Sequence, residues 1–164
     1  MSFDWLTTGT VIRYPYLWSH EAQRGETEGR KTKRPTAVGF RIAKPDGKDI
    51  VLLFPLTSKA PDPSRFAAEV PALEKKRAGL AQDIPLWIIL DEFNEDIVGE
   101  SFYLEPDPHF GRFSHAFLLP LLKEFIVRRQ SIKGVSRRIR WCVESCTNNH
   151  SNGSQIPLIP EQIH

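Results

Sequence analysis

No stretch of this 164-residue chain is apolar for long enough to span a bilayer, and Met1 to Thr10 has neither the basic start nor the hydrophobic stretch of a signal peptide. A soluble cytoplasmic protein with no membrane partner is therefore the expectation. Cysteine is scarce too. Cys142 and Cys146 are the only two, four residues apart near the end, which is neither the paired CxxC spacing of a zinc site nor enough for a disulfide framework. Free thiols in a reducing compartment are expected, with no metal and no cofactor. The net charge is only +2, too little to call for a nucleic-acid partner by itself. Internal repeats are absent as well.

What is present is ordinary for a globular domain. Charged residues make up 26% and hydrophobic ones 40%, enough for one real core in a chain too short for two. The expected organisation is a single domain over residues 1–144, including a C-terminal helix over 113–131, then a polar, proline-bearing and loosely ordered tail over 145–164. The charges are unevenly spread. Arg24, Arg30, Lys31, Lys33 and Arg34 crowd one loop, Arg128 to Arg140 carries a second basic group, and acids gather from Asp91 to Glu105. Such segregation permits a basic groove on a nearly neutral protein; the other reading is two solvated basic segments on different sides.

Thr10 to Trp18, rich in β-branched and aromatic residues, reads as a first strand that lies at an edge or bends at Pro15. Ser19 to Lys33 reads as a long polar loop in which His20 and Glu21 offer acid–base groups or sit idle. At its end Pro35 pushes Arg34 towards an extended conformation. Val38, Phe40 and Ile42 then share one strand face while Ala37, Gly39 and Arg41 share the other. Arg34 presents a planar charged fork that suits a phosphate or a carboxylate, or else ties the loop down through an ion pair. The Pro45-Asp46-Gly47 turn closes a hairpin to an apolar central strand, Ile50 to Phe54, which runs out into Pro55 to Lys59. There Thr57 is either a turn-forming hydroxyl or a phosphate ligand beside Arg34.

Further strands are expected at Phe66 to Val70, Leu86 to Leu90 and Val98 to Leu104, with a helical turn at Glu74 to Arg77 and a loop at Pro106 to Gly111. Asp91 to Asp96 lacks the alternating ligands and central glycine of a calcium loop, and a solvated turn or a partner for the basic loop is expected. Phe113 to Arg129 carries a helical stripe through Phe113, Phe117, Leu121 and Phe125. That helix either begins within a turn of Pro120 or kinks there, and its stripe faces the core or an oligomer contact.

In order and spacing, the segments from Gly9 to Asp96 resemble the PemK/MazF-like toxins, small endoribonucleases of bacterial toxin–antitoxin pairs. The resemblance is carried by Gly9-Thr10-Val11-Ile12, by Glu26, Glu28 and Gly29 ahead of Arg34-Pro35, and by the strand ending Pro55-Leu56-Thr57-Ser58-Lys59. It continues from Glu69-Val70-Pro71 through Ala78-Gly79-Leu80 to Asp91-Glu92-Phe93. The family it points to implies an α+β fold, mainly β with helices: a small SH3-like barrel of the CcdB/PemK type with a C-terminal helix. It implies a homodimer, an RNA substrate and an antitoxin partner. It also implies metal-independent chemistry, in which the ribose 2′-OH attacks the adjacent phosphorus and leaves a 2′,3′-cyclic phosphate and a 5′-OH. Carried onto this chain, Arg34 would stabilise charge on the phosphoryl oxygens, Thr57 would hold one of them, and Glu28, Glu26 or His20 would move a proton. Arg30, Lys31, Lys33, Ser58, Lys59 and His20 would contact the substrate. Three departures stand beside this. Arg30 to Lys33 separate Gly29 from Arg34 where the family has one or two residues, which makes Arg30 a rival for the role of Arg34. Asp91-Glu92 stands where an Asp-Gln pair is usual, and the chain continues well past Asp96. The same fold has non-catalytic members that bind a protein or nucleic acid, which is the alternative function.

Overall fold

The computed structural model of the chain describes residues 3–27, 33–101, 103–105 and 109–137. The expected loose tail and both cysteines lie outside them. Eight strands form one mainly antiparallel sheet that curls into a half-barrel, accompanied by three helices. At its centre β1 (Thr10–Tyr14), β2 (Arg34–Ile42) and β3 (Ile50–Thr57) pair antiparallel. β3 is long enough to carry two neighbours along its other edge. β6 (Glu92–Ile97) pairs with Ile50 to Leu53, and β5 (Trp87–Ile89) pairs with Leu56 and Thr57. β4 (Ala67–Glu69) adds to β5, β7 (His109–Arg112) adds to β1, and β8 (Lys133–Ser136) runs parallel to β6.

The unbroken apolar run of β3 reflects burial on both faces. Leu52, Phe54 and Leu56 enter one cluster; Val51 and Leu53 enter another with Leu6, Ile12, Tyr14 and Tyr16. The first cluster is covered by helix α3 (His115–Arg128), whose Leu118, Leu122 and Phe125 are buried. The Phe125 ring meets Phe54 edge-on at 4.9 Å and Phe93 at 5.6 Å between centroids, and burying each such side chain contributes roughly 1.5–3 kcal/mol. Ser114 caps the helix, accepting from the Phe117 N–H, and its own N–H and hydroxyl donate to the buried carboxylate of Glu74 on helix α2 (Ala72–Arg77). The stripe faces the core, as its width suggests. Pro120 lies inside the helix and not in its first turn, on an exposed position where the lost N–H bond is tolerated.

Several expectations are corrected. Ser19 to Lys33 opens with a helix, α1 (Ser19–Gln23), instead of a loop, where the Glu21 and Glu92 carboxylates accept from the Trp18 and Ser19 N–H groups at its start. The first strand ends at Tyr14, before Pro15. Asp91 to Asp96 is no solvated turn: it supplies β6, and Glu92, Asn94 and Asp96 are all buried. No strand occurs at 98–104 among the described residues, since Gly99 at φ +84° turns the chain straight after β6. Residues 109–111, expected in a loop, belong to β7, and β8 was not expected at all.

A subtler correction lies in β2. Its register against β3 shifts between Val38 and Phe40, so that Gly39 is an extra, bulged residue. The bulge turns the alternation over: Val38 packs in the second cluster, while Ala37, Phe40 and Ile42 pack in the first. Gly39 is required there for space, since a Cβ would come within 2.2 Å of the Phe54 ring. Gly39→Ala should therefore cost about 1–3 kcal/mol or more in urea denaturation, whereas Gly47→Ala, in an open turn at φ +76°, should pay only for its backbone angle.

Candidate functional site

Three residues named from the sequence meet in one cleft. Continuing the β2–β3 register beyond the Thr36–Pro55 pair sets Arg34 opposite Thr57, and both, with Ser58, line a cavity of about 360 Å³ whose other walls are apolar. Arg34 starts β2, where Pro35 has no N–H to contribute and β1 ends, so its side chain leaves the sheet at the rim. The guanidinium lies over the Trp18 ring, 5.0 Å from its centroid, a cation–π contact that holds the fork in a defined place. The Thr57 hydroxyl oxygen accepts from the Lys59 N–H at 3.2 Å. This is the turn-forming role, and it leaves the hydroxyl hydrogen to donate outward.

Thr57 also borders a second cavity of about 300 Å³, shared with Trp18, His20, Lys59 and Arg65. His20 stacks on Trp18, with centroids 6.4 Å apart and planes at 26°. One indole therefore orders a row of two potential charges, Arg34 and His20, on either side of the Thr57 turn. Lys33 is drawn elsewhere, into an ion pair with Glu105. Glu28, Arg30 and Lys31 lie outside the described residues. Glu26 is exposed at the end of the α1 turn.

The residues that the sequence reading missed are those that hold Trp18 and His20 in position. The chain leaves the sheet after Tyr14, and three inward side chains of β6 hold it in order from that residue onward. Asp96 accepts from the Tyr14 hydroxyl at 2.7 Å. Asn94 accepts from the Leu17 N–H at 2.9 Å and donates to the Leu17 carbonyl at 2.7 Å, replacing a neighbouring strand's backbone. Glu92 accepts from the Ser19 N–H at 3.0 Å at the start of α1, where a carboxylate is favoured by the exposed amides. Glu21 accepts from the Trp18 N–H and completes the cap. Arg65 neutralises the far end with a bidentate grip on Asp91 and a 3.0 Å bond to Glu92; the Asp91 carboxylate holds its guanidinium still more firmly charged. Arg65 thus offsets one of the two negative charges that Asp91-Glu92 introduces. The signal that points to this was present: Glu92, Asn94 and Asp96 alternate with Phe93, Glu95 and Ile97 at the period of a strand.

Among the described residues no group of three histidine, cysteine, aspartate or glutamate side chains converges to hold a metal ion, and no described helix is long and apolar enough to cross a membrane. No protein-family model matches the chain, and no curated protein matches it significantly.

Burial of the two tyrosines beside carboxylates gives a pH signature. Burial, followed by the Asp96 carboxylate, raises the Tyr14 phenol well above its usual range, and burial followed by Glu92 does the same to Tyr16. Unfolded phenols ionise near pH ~10, while these stay protonated in the folded state. Stability is therefore complete below that pH and falls above it, as the unfolded chain releases protons first. Phenolate absorbance from Tyr14 and Tyr16 should appear only together with alkaline unfolding, and Tyr14→Phe or Tyr16→Phe should flatten the alkaline slope of stability. Early, reversible ionisation of both phenols in the folded protein would show that the ladder is open to solvent.

Proposed function

We propose that this chain is a metal-independent endoribonuclease of the PemK/MazF-like kind, built on that family's SH3-like barrel, which cleaves single-stranded RNA at a phosphate seated between Arg34 and Thr57. The observation that carries the proposal is that Arg34, at the start of β2, and Thr57, at the end of β3, line one cavity. Internal attack by a 2′-OH needs no resident cofactor. It needs charge stabilisation at the phosphoryl oxygens and a route for one proton. Arg34 supplies the first through a fork that matches two phosphate oxygens, and Thr57 donates a hydrogen bond to a third position on the same group. His20, across the Thr57 turn and ordered by Trp18, takes the 2′-OH proton or returns one to the leaving 5′ oxygen. Lys59, in the second cavity beside Thr57, offers its ammonium to the neighbouring backbone phosphate. Arginine stays protonated, so its role is electrostatic. On this reading the protein is the growth-inhibiting partner of a toxin–antitoxin pair, active as a homodimer and silenced by its antitoxin.

One observation favours a second reading. The Thr57 oxygen already closes its own turn through Lys59, as in a module that binds a protein or nucleic acid without cleaving it. Incubation of the purified protein with a long single-stranded RNA in EDTA separates the two. Discrete fragments with 5′-OH and cyclic-phosphate ends are expected, with the rate down by about 100-fold or more in Arg34→Ala and in Thr57→Val, the scale of losing one transition-state donor. RNA that is bound but stays intact would leave the binding module; RNA neither bound nor cut would remove the nucleic-acid reading.

A further inference from the structure

The cavity beside Arg34 and Thr57 is larger and more apolar than a phosphate needs. Leu56, Leu80, Ile84 and Leu86 form its walls, and polar groups stand at one side only, from Arg34, Thr57 and Ser58. At about 360 Å³ it sits at the small end of ligand pockets, which run from roughly 300 to 1,000 Å³. From this we infer that it is a base-binding subsite, taking one unstacked nucleobase of the RNA strand next to the phosphate held by Arg34. The inference rests on the proposed function and extends it, because it names the residues that select the substrate.

The wall is built in advance. Helix α2 ends in a Schellman turn: Gly79, at φ +68°, bonds back to Lys76, and the Leu80 N–H reaches the Lys75 carbonyl. This aims Leu80 into the cavity. The next residues are pinned from behind by the Lys75 ammonium, a buried group that donates to the carbonyls of Gln82 at 3.3 Å and Ile84 at 2.8 Å. Those bonds fix the segment in which Ala81 and Ile84 line the cavity. A nucleobase fits such a space by its apolar faces, while its own phosphate remains at the rim with Arg34. The order of guanidinium, indole and imidazole along Arg34, Trp18 and His20 suits a strand whose phosphates and flat bases alternate.

Ile84 is 40% exposed, so Ile84→Trp fills the cavity without disturbing the core, and Ala81→Trp is an independent second blockade. A short unstructured RNA and the same RNA with a single abasic ribose at each position in turn serve as probes, with affinity read by fluorescence anisotropy. Expected are an affinity loss of about 10-fold in either variant, the scale of one base contact worth ~1–3 kcal/mol, and an equal loss at one abasic position in the wild type. The abasic penalty should vanish in Ile84→Trp, since the blocked protein has no base to lose. Unchanged affinity of both variants, with RNA still bound and Arg34→Ala still impaired, would overturn the base subsite while leaving the nuclease reading intact. Absence of any RNA affinity in the wild type would instead end both.

Discussion

Glu92, Asn94 and Asp96 of β6 bond to Tyr14, the last residue of β1, and to Leu17 and Ser19 in the stretch that has left the sheet, and these bonds decide where the candidate site lies. Without them the residues after Pro15 have no strand partner and no reason to fold back over the rim. Buried polar groups of this kind are costly to leave unsatisfied, at about 1–3 kcal/mol each. The ladder is accordingly either complete or a source of instability. In this protein it is complete, down to the Arg65 guanidinium that balances Glu92 at its outer end. The consequence is that Trp18 arrives beside Arg34 and that His20 arrives beside Thr57.

The cleft itself is an outcome of two further placements. β3 outruns β6 and continues beside β5, so Thr57 emerges at the end of a fully paired strand, close to the turn that carries Lys59. The other wall follows α2, whose two adjacent central residues each reach another segment: Glu74 holds the start of α3, and Lys75 holds the segment after Gly79. Both side chains are charged and buried, and both are satisfied by groups from other elements, as buried charges must be. A short helix with two such charges in sequence looks like a solvated turn, yet it is the hinge between the core helix and the cavity wall.

The strand centres, the hairpin at Pro45 to Gly47 and the apolar helix were legible in the sequence, since each is written in a local period or a turn residue. That Arg34 and Thr57 share a cavity was legible as a possibility from their places at two strand ends. The acidic run was misread as solvated because charge outweighed its period, and β7 and β8 were missed because four residues carry too little pattern to stand out. The inversion of faces at Gly39 was hidden as well. An extra residue in a strand leaves no mark on its composition, and only the approach of Phe54 explains why a glycine is there.

By itself, then, the sequence determined a mainly β domain with one core helix, a basic loop ahead of Arg34 and a hydroxyl-bearing turn at Thr57. Tertiary structure alone decided that the acids of β6 face inward, that Lys33 turns to Glu105, and that His20 and Trp18 line the second cavity beside Thr57. The physical reason is the range of the interactions. Periodicity reports how a residue relates to neighbours within a few positions. The bond that seats α1 joins Ser19 to Glu92, 73 residues away, and its strength comes from a burial that exists only once the sheet has closed around it.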